Sequence, residues 1–310
     1  MFVGVVVAAT AACGLSVVGS LDRGGSGEDG GGAETGANVP EGASGDSQVP
    51  VDLDGATGDA ADAFVDYTAL CNQECPDAGG SCDSGTCVHD CTAGNACSNS
   101  TVRCPPGVPC AVTCGSGACA KGVDCSSAAS CNIDCDGMNS CVTNPVTCSG
   151  SSCTVTCQNG GTCTAGVFCD AGTCKLDCIG VNSCTGGVTC TGKDCSLTCV
   201  NGGSCTGPIA CRESGDCTVD CLGPNTCTGP FHVAGKTANV SCIGGGSCSN
   251  GITISAADAS TSCTGPTTCG SAVYLNGGGH GSFQCLDPCN YCCAAGTTCT
   301  GTLNASANCP

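Results

Sequence analysis

Tryptophan is absent from the 310 residues, and aromatics number only five Phe and three Tyr. Large aliphatic residues are also sparse, so an ordinary close-packed core has too few side chains to build it. This argues against a conventional α/β enzyme and against a helical bundle. Basic residues number seven against 26 acidic ones, giving a formal net charge of −19. No basic stripe can be assembled from seven cations, so nucleic acid is not a partner. Long apolar runs are missing as well. The longest, Met1 to Ala12, has 12 residues, too few to span a bilayer. Histidine occurs three times, at His89, His232 and His280, and no Gly-x-Ser-x-Gly motif is present. No hydrolytic triad is expected from these, and the chain is read as a non-enzyme.

What the chain does have is 41 cysteines and 51 glycines. Cysteine above about 8–10% of a chain marks a disulfide scaffold, and such scaffolds belong to oxidising compartments. Met1–Ala12 has the apolar, small-residue-ended character of a secretory signal core, although no Lys or Arg precedes it. Thr10-Ala11-Ala12-Cys13 resembles the bacterial lipoprotein signal, in which the cysteine carries the lipid, with Thr10 in place of the usual aliphatic residue. The resemblance implies lipidation of Cys13 and a membrane partner through that anchor. Setting Cys13 apart leaves 40 cysteines, an even number, as a fully paired exported chain requires. Residues 14–70 hold no cysteine, 11 acidic residues and one base, Arg23, in a Gly/Ser/Ala-rich background. Such a composition predicts a disordered tether with a root-mean-square reach of roughly 40 Å.

The body is a repeat. Cys91, Cys114, Cys135, Cys157, Cys178, Cys199, Cys221, Cys242, Cys263 and Cys285 are separated by 21 to 23 residues. Residues 178–198, CIGVNSCTGGVTCTGKDCSLT, show one complete copy with four cysteines. Within it, apolar and cysteine residues alternate. Val112, Ile133, Val155, Leu176, Leu197 and Val219 stand two residues before the boundary cysteines, and Val102, Val123, Val146, Val167, Val188 and Ile209 stand two before the third cysteines. A period of two places these on one face of a strand. Between the first and second cysteines, Asn95, Asn139, Gly161, Asn182, Gly203, Asn225 and Gly246 mark a turn that needs positive φ.

Strands and turns at this period predict an all-β fold: a parallel β-solenoid of about ten coils of ~21 residues, stacked at ~4.8 Å into a rod about 45 Å long. Right-handed coiling is expected for parallel crossovers. Residues 91–284 form the solenoid, residues 71–90 a cysteine-rich N-terminal cap, and residues 285–310 a cysteine-rich C-terminal cap. In the last repeats Val233, Ile254 and Leu275 replace the third cysteine, and Ala238 and Ala259 replace the fourth. Third and fourth cysteines thus vanish together while first and second persist together. This predicts bridges within a coil: Cys157–Cys163, Cys169–Cys174, Cys178–Cys184, Cys190–Cys195, Cys199–Cys205, Cys211–Cys217, Cys221–Cys227, Cys242–Cys248 and Cys263–Cys269. Bridges between neighbouring coils are the alternative, since stacked equivalents lie within disulfide reach. Zinc sites favour Cys-x2-Cys sets, and only Cys289-Asn290-Tyr291-Cys292-Cys293 approaches one. No metal and no cofactor are expected.

A second period overlies the first. The residue before each boundary cysteine runs Asp90, Thr113, Asp134, Thr156, Asp177, Thr198, Asp220, Ser241. Alternation keeps stacked carboxylates roughly 10 Å apart, about a Debye length, and suggests an ancestral unit of two coils. Hydroxyls flank the second cysteine as Thr162/Thr164, Ser183/Thr185, Ser204/Thr206 and Thr226/Thr228. This Thr-Cys-Thr pattern resembles the ladder of beetle antifreeze proteins, which are disulfide-filled β-helices with shorter coils. The resemblance implies two outward hydroxyl columns that bind ice or a polysaccharide. Polysaccharide-cleaving β-helix enzymes are a further alternative, for which Arg212, Glu213 and Asp216 are the nearest grouping. In composition and layout the chain resembles cysteine-rich repeat lipoproteins of bacterial envelopes. That resemblance implies an exported, surface-tethered structural or adhesive protein at the outer membrane or cell surface, or otherwise a secreted one, with a polysaccharide or other surface component as its partner.

Overall fold

The computed structural model describes residues 65–276, 279–285, 291–293 and 298–301. Cys13 and most of the segment read as a tether lie outside the described residues. Strands dominate and form one hydrogen-bonded array. The chain is a parallel β-solenoid of about nine turns rich in disulfides.

Register follows the sequence repeat. Cys153 faces Cys174, Val155 faces Leu176 and Cys157 faces Cys178 across neighbouring strands. The same spacing continues with Cys195 to Cys217, Leu197 to Val219 and Cys199 to Cys221. Both apolar columns are buried, with Ile133, Val123 and Val146 fully enclosed. Val233, Ile254, Leu275, Ala238 and Ala259 also point inward, as their place in the cysteine columns requires. Removal of these side chains from water drives the stacking, since one coil has nothing to bury its inner face against.

The bridges run within coils. All nine expected pairs are present. Cys91–Cys97, Cys104–Cys110, Cys114–Cys119, Cys135–Cys141 and Cys148–Cys153 continue the scheme toward the N-terminus. Among the described residues one rung departs from it: Cys125 and Cys131 are buried free cysteines.

The N-terminal end holds an element with no sequence signal. A helix spans Thr68–Asp77, beginning inside the stretch read as tether. Its buried residues are Cys71 and Cys75, one turn apart, so disulfides rather than an apolar stripe fix it. Cys71 bridges Cys82 and Cys75 bridges Cys87. These tie the helix to an antiparallel hairpin of Ser81–Asp83 and Thr86–Cys91. The second hairpin strand is itself the first rung, with Cys87 facing Cys110 and Cys91 facing Cys114.

At the other end, the segment expected to be a separate cap continues the solenoid where it is described. Val273–Leu275 pairs in parallel with Tyr291–Cys293, and His280 faces Thr298.

Candidate functional site

The Thr-Cys-Thr ladder does not form. Thr162, Ser183, Ser204 and Thr226 are fully buried, and Thr164, Thr185, Thr206 and Thr228 are half-buried. The reason is backbone conformation. Cys163, Cys184, Cys205 and Cys227 adopt φ of 51, 51, 52 and 51°, the left-handed region, so the three residues form a turn and the two hydroxyls diverge. The inner hydroxyls serve the turn itself. Thr162 Oγ1 donates to the Asn159 carbonyl at 2.9 Å, Ser204 Oγ to Asn201 at 2.9 Å and Thr226 Oγ1 to Gly223 at 3.0 Å. Each satisfies a carbonyl within its own loop. Ser140 and Ser183 are buried at the equivalent place without a hydrogen-bond partner among the described residues.

A regular polar surface exists elsewhere, on the strands leading to the boundary cysteines. One outward column runs Asn132, Thr154, Lys175, Ser196, Thr218, Asn239 and Ser260, neighbour facing neighbour. A second column, two residues on, runs Thr113, Asp134, Thr156, Asp177, Thr198, Asp220 and Ser241. A third, two residues back, includes Asp194, Asp216, Thr237 and Asp258. Side chains in these columns are exposed or half-buried. The strand period turns them all to one side. Carboxylates outnumber cations here, and Lys175, the cation of the central column, forms an ion pair with Asp177 at 3.4 Å. Thr237 Oγ1 donates to Asp216 across the coil boundary at 2.5 Å. Burial holds the carboxyls of Asp134 and Asp220 above their usual range, with Asp136 adding to the effect at Asp134.

Near the C-terminal end this face dips into a shallow groove of about 340 Å³, lined by Thr237, Asn239, Asp258, Ser260, His280, Ser282, Thr298 and Thr300. His280 stands beside Asp258 in register. No hydrogen bond joins them to each other or to a serine among the described residues.

Of the grouping considered for a polysaccharide-cleaving enzyme, the two members with described side chains, Arg212 and Asp216, have different surroundings. Arg212 borders a different groove with His232, Thr253 and Ser255. Asp216 lies on the polar face with Thr237. Nothing is described of the Glu213 side chain. His89 takes a core position, facing Val112 in the next coil. Its Nε2 lies 3.5 Å from Cys87 Sγ, a sulfur already bridged to Cys75. Burial lowers the His89 pKa, and a backbone hydrogen bond with Arg103 opposes this.

Several sulfur triplets lie within 4.8 Å of one another, among them Cys114/Cys135/Cys141 and Cys157/Cys178/Cys184. These two consist of bridged sulfurs, which lack the thiolate that ligates metal. No protein-family model, no curated protein and no solved structure matches this chain.

Proposed function

We propose that this protein is an exported, surface-tethered structural or adhesive rod without catalytic activity, held to a membrane by a lipid on Cys13. The observation that carries this reading is the column of first-to-second bridges, repeated coil after coil from Cys91–Cys97 to Cys263–Cys269. Such stapling replaces a large apolar core and suits a compartment where thiols are oxidised. It gives a body that resists unfolding without needing a bound group. A lipid-bearing cysteine followed by a Gly/Ser-rich acidic segment would hold that body away from the membrane.

A second reading is favoured by the three-column polar face: a binding module for an extended polysaccharide. Hydroxyl, amide and carboxylate groups repeat along the rod at the ~4.8 Å strand spacing, which offers a row of hydrogen-bond partners to a linear glycan.

Fractionation of cells expressing the full chain, with mass spectrometry of the N-terminal peptide, tests the first reading. A lipid-modified Cys13 in the membrane fraction is expected. Recovery of soluble protein with unmodified Cys13 overturns the tether. For the second, Thr154→Tyr, Ser196→Tyr and Thr218→Tyr together should abolish retention on insoluble polysaccharide. Unchanged retention removes that face from consideration.

A further inference from the structure

Five coils close their third and fourth cysteines, through Cys104–Cys110, Cys148–Cys153, Cys169–Cys174, Cys190–Cys195 and Cys211–Cys217. Between the first two stand Cys125 and Cys131, both buried and both unbridged. Sequence spacing does not keep them apart, because their separation of six is that of Cys104–Cys110 and Cys211–Cys217. Strand register is also intact there. Cys131 faces Cys110 on one side and Cys153 on the other, and Cys125 faces Cys148. The solenoid therefore accommodates an open rung at this level without a slip.

Local contacts suit the open rung. The Cys131 thiol donates to the Cys125 carbonyl at 3.6 Å. Cys125 Sγ lies 2.6 Å from Cys104 Sγ, inside van der Waals contact with a sulfur of the neighbouring bridge. The sulfurs of Cys104, Cys125 and Cys131 all lie within 4.8 Å of one another. The cover over them differs from that of the two coils that follow, and matches the break between Val188–Cys190 and Asp194–Val200 further on. Strand Val123–Cys125 ends and Ser130–Cys135 begins anew, with exposed Ser126 and Ser127 between. Strands Val146–Cys157 and Val167–Cys178 run unbroken through the same corner. Local opening of a short loop breaks fewer backbone bonds than opening a strand paired on both sides.

We propose that Cys104, Cys110, Cys125 and Cys131 form a redox-active sulfur quartet, at which the protein gains or loses one bridge while its other rungs stay closed. The structure holds the two-electron-reduced form. Oxidation takes a disulfide compound RSSR: the Cys125 thiolate attacks one sulfur and expels RS⁻. The Cys131 thiolate then attacks Cys125 Sγ, expelling the second RS⁻ and forming Cys125–Cys131. The two protons leave with two RSH, and excess RSH runs the reaction backward. Within the reduced form the same sulfurs exchange without any oxidant. The Cys125 thiolate attacks Cys104 Sγ, forming Cys104–Cys125 and releasing Cys110 as thiolate. The hydrogen bond with Cys131 and then burial push the Cys125 thiol up, so exchange is slow at neutral pH and quickens as pH rises.

The test begins with air-oxidised full-length protein in graded glutathione buffers. Samples are acid-quenched, alkylated after denaturation and mapped by mass spectrometry. The first two labels per chain are expected within the quartet, before any other bridge opens. First labels elsewhere, or all rungs opening together, overturn the couple. C131S tests the exchange in a second way, because it removes the in-coil partner of Cys125. It should accumulate the Cys104–Cys125 bridge with Cys110 labelled. A C131S protein that keeps Cys104–Cys110 and is labelled only at Cys125 overturns the exchange.

Discussion

The amide oxygen of Asn139 fills the space that a side chain on Gly161 would need: a Cβ built there stands 2.7 Å from Asn139 Oδ1. Asn95 meets Gly117 and Asn225 meets Gly246 in the same way. The asparagines and glycines of these turns all carry positive φ, 55° at Asn139 and 71° at Gly161. An Asn in one coil thus leans over a Gly in the next. This is a steric cause for the two-coil period, beside the spacing of carboxylates. Gly161→Ala should destabilise the protein by about 1–3 kcal/mol, the cost of forcing a side chain into that backbone region, plus the contact with Asn139. In an Asn139→Gly background the contact share disappears and the loss should shrink. Thermal unfolding of the four proteins of this cycle measures the difference. Equal losses in both backgrounds would assign the whole effect to φ.

The chain itself supplies the template for removing a staple. Val233 and Ala238 stand in the columns of Cys211 and Cys217, facing them across neighbouring strands. Cys190→Val with Cys195→Ala should therefore fold. A closed loop of about six residues is worth about 2 kcal/mol in the chain-entropy model, and a loss of that size lowers Tm by roughly 4–8 °C in a domain of this size. Calorimetry in non-reducing buffer reads this directly. Retained coil stacking with a lowered Tm is the expected result, and loss of all structure would mean that a single rung holds the rod.

Much of the rod was legible because its signals repeat. Val112, Ile133, Val155 and Leu176 recur at one offset, and the joint loss of third and fourth cysteines at Val233/Ala238 and Ile254/Ala259 points to pairing within a coil. The outward hydroxyl columns were misplaced for a local reason. Thr162-Cys163-Thr164 has the alternation of a strand, but Cys163 takes a left-handed φ of 51°, which cysteine rarely does and no residue-type rule announces. A regular polar face lies in the neighbouring strands, in the Thr154-x-Thr156 and Ser196-x-Thr198 pattern, readable once the boundary cysteines are taken as inward. The helix Thr68–Asp77 carries no apolar period, since only its two bridged cysteines are buried. The open rung at Cys125 and Cys131 has the spacing of closed ones and leaves no mark in the sequence.

His89 predicts an acid-sensitive first rung. Its ring occupies a core position against Val112, and burial lowers its pKa below the ordinary 6.5. The unfolded chain therefore binds a proton more readily than the folded one as pH drops through and below 6.5. Stability should fall in that window and be fully present above it. His89→Leu should flatten this part of the curve. Denaturant midpoints between pH 7.5 and pH 5 for both proteins check it. A parallel decline in the two would place the acid sensitivity elsewhere.

Two aspartates on successive strands of one coil, Asp124 and Asp134, predict opposite slopes at lower pH. The Ser126 hydroxyl and backbone amide, with Thr147, hold Asp124 below its usual range, Oγ of Ser126 donating at 2.7 Å. Stability from this carboxylate is present above pH 3.8 and is lost as pH falls through its depressed folded value. Asp134 is shifted upward, chiefly by burial and then by Asp136. Its folded form binds a proton where the unfolded form does not, so its ionisation costs stability as pH rises above 3.8. Asp124→Asn should therefore weaken the protein at pH 6 and weaken it less at pH 2.5. Asp134→Asn should strengthen it at pH 6 and have little effect at pH 2.5. Urea midpoints at the two pH values, taken with the disulfides intact, decide both. If the two variants shift in the same direction at pH 6, the local environments of these carboxylates do not set their contribution.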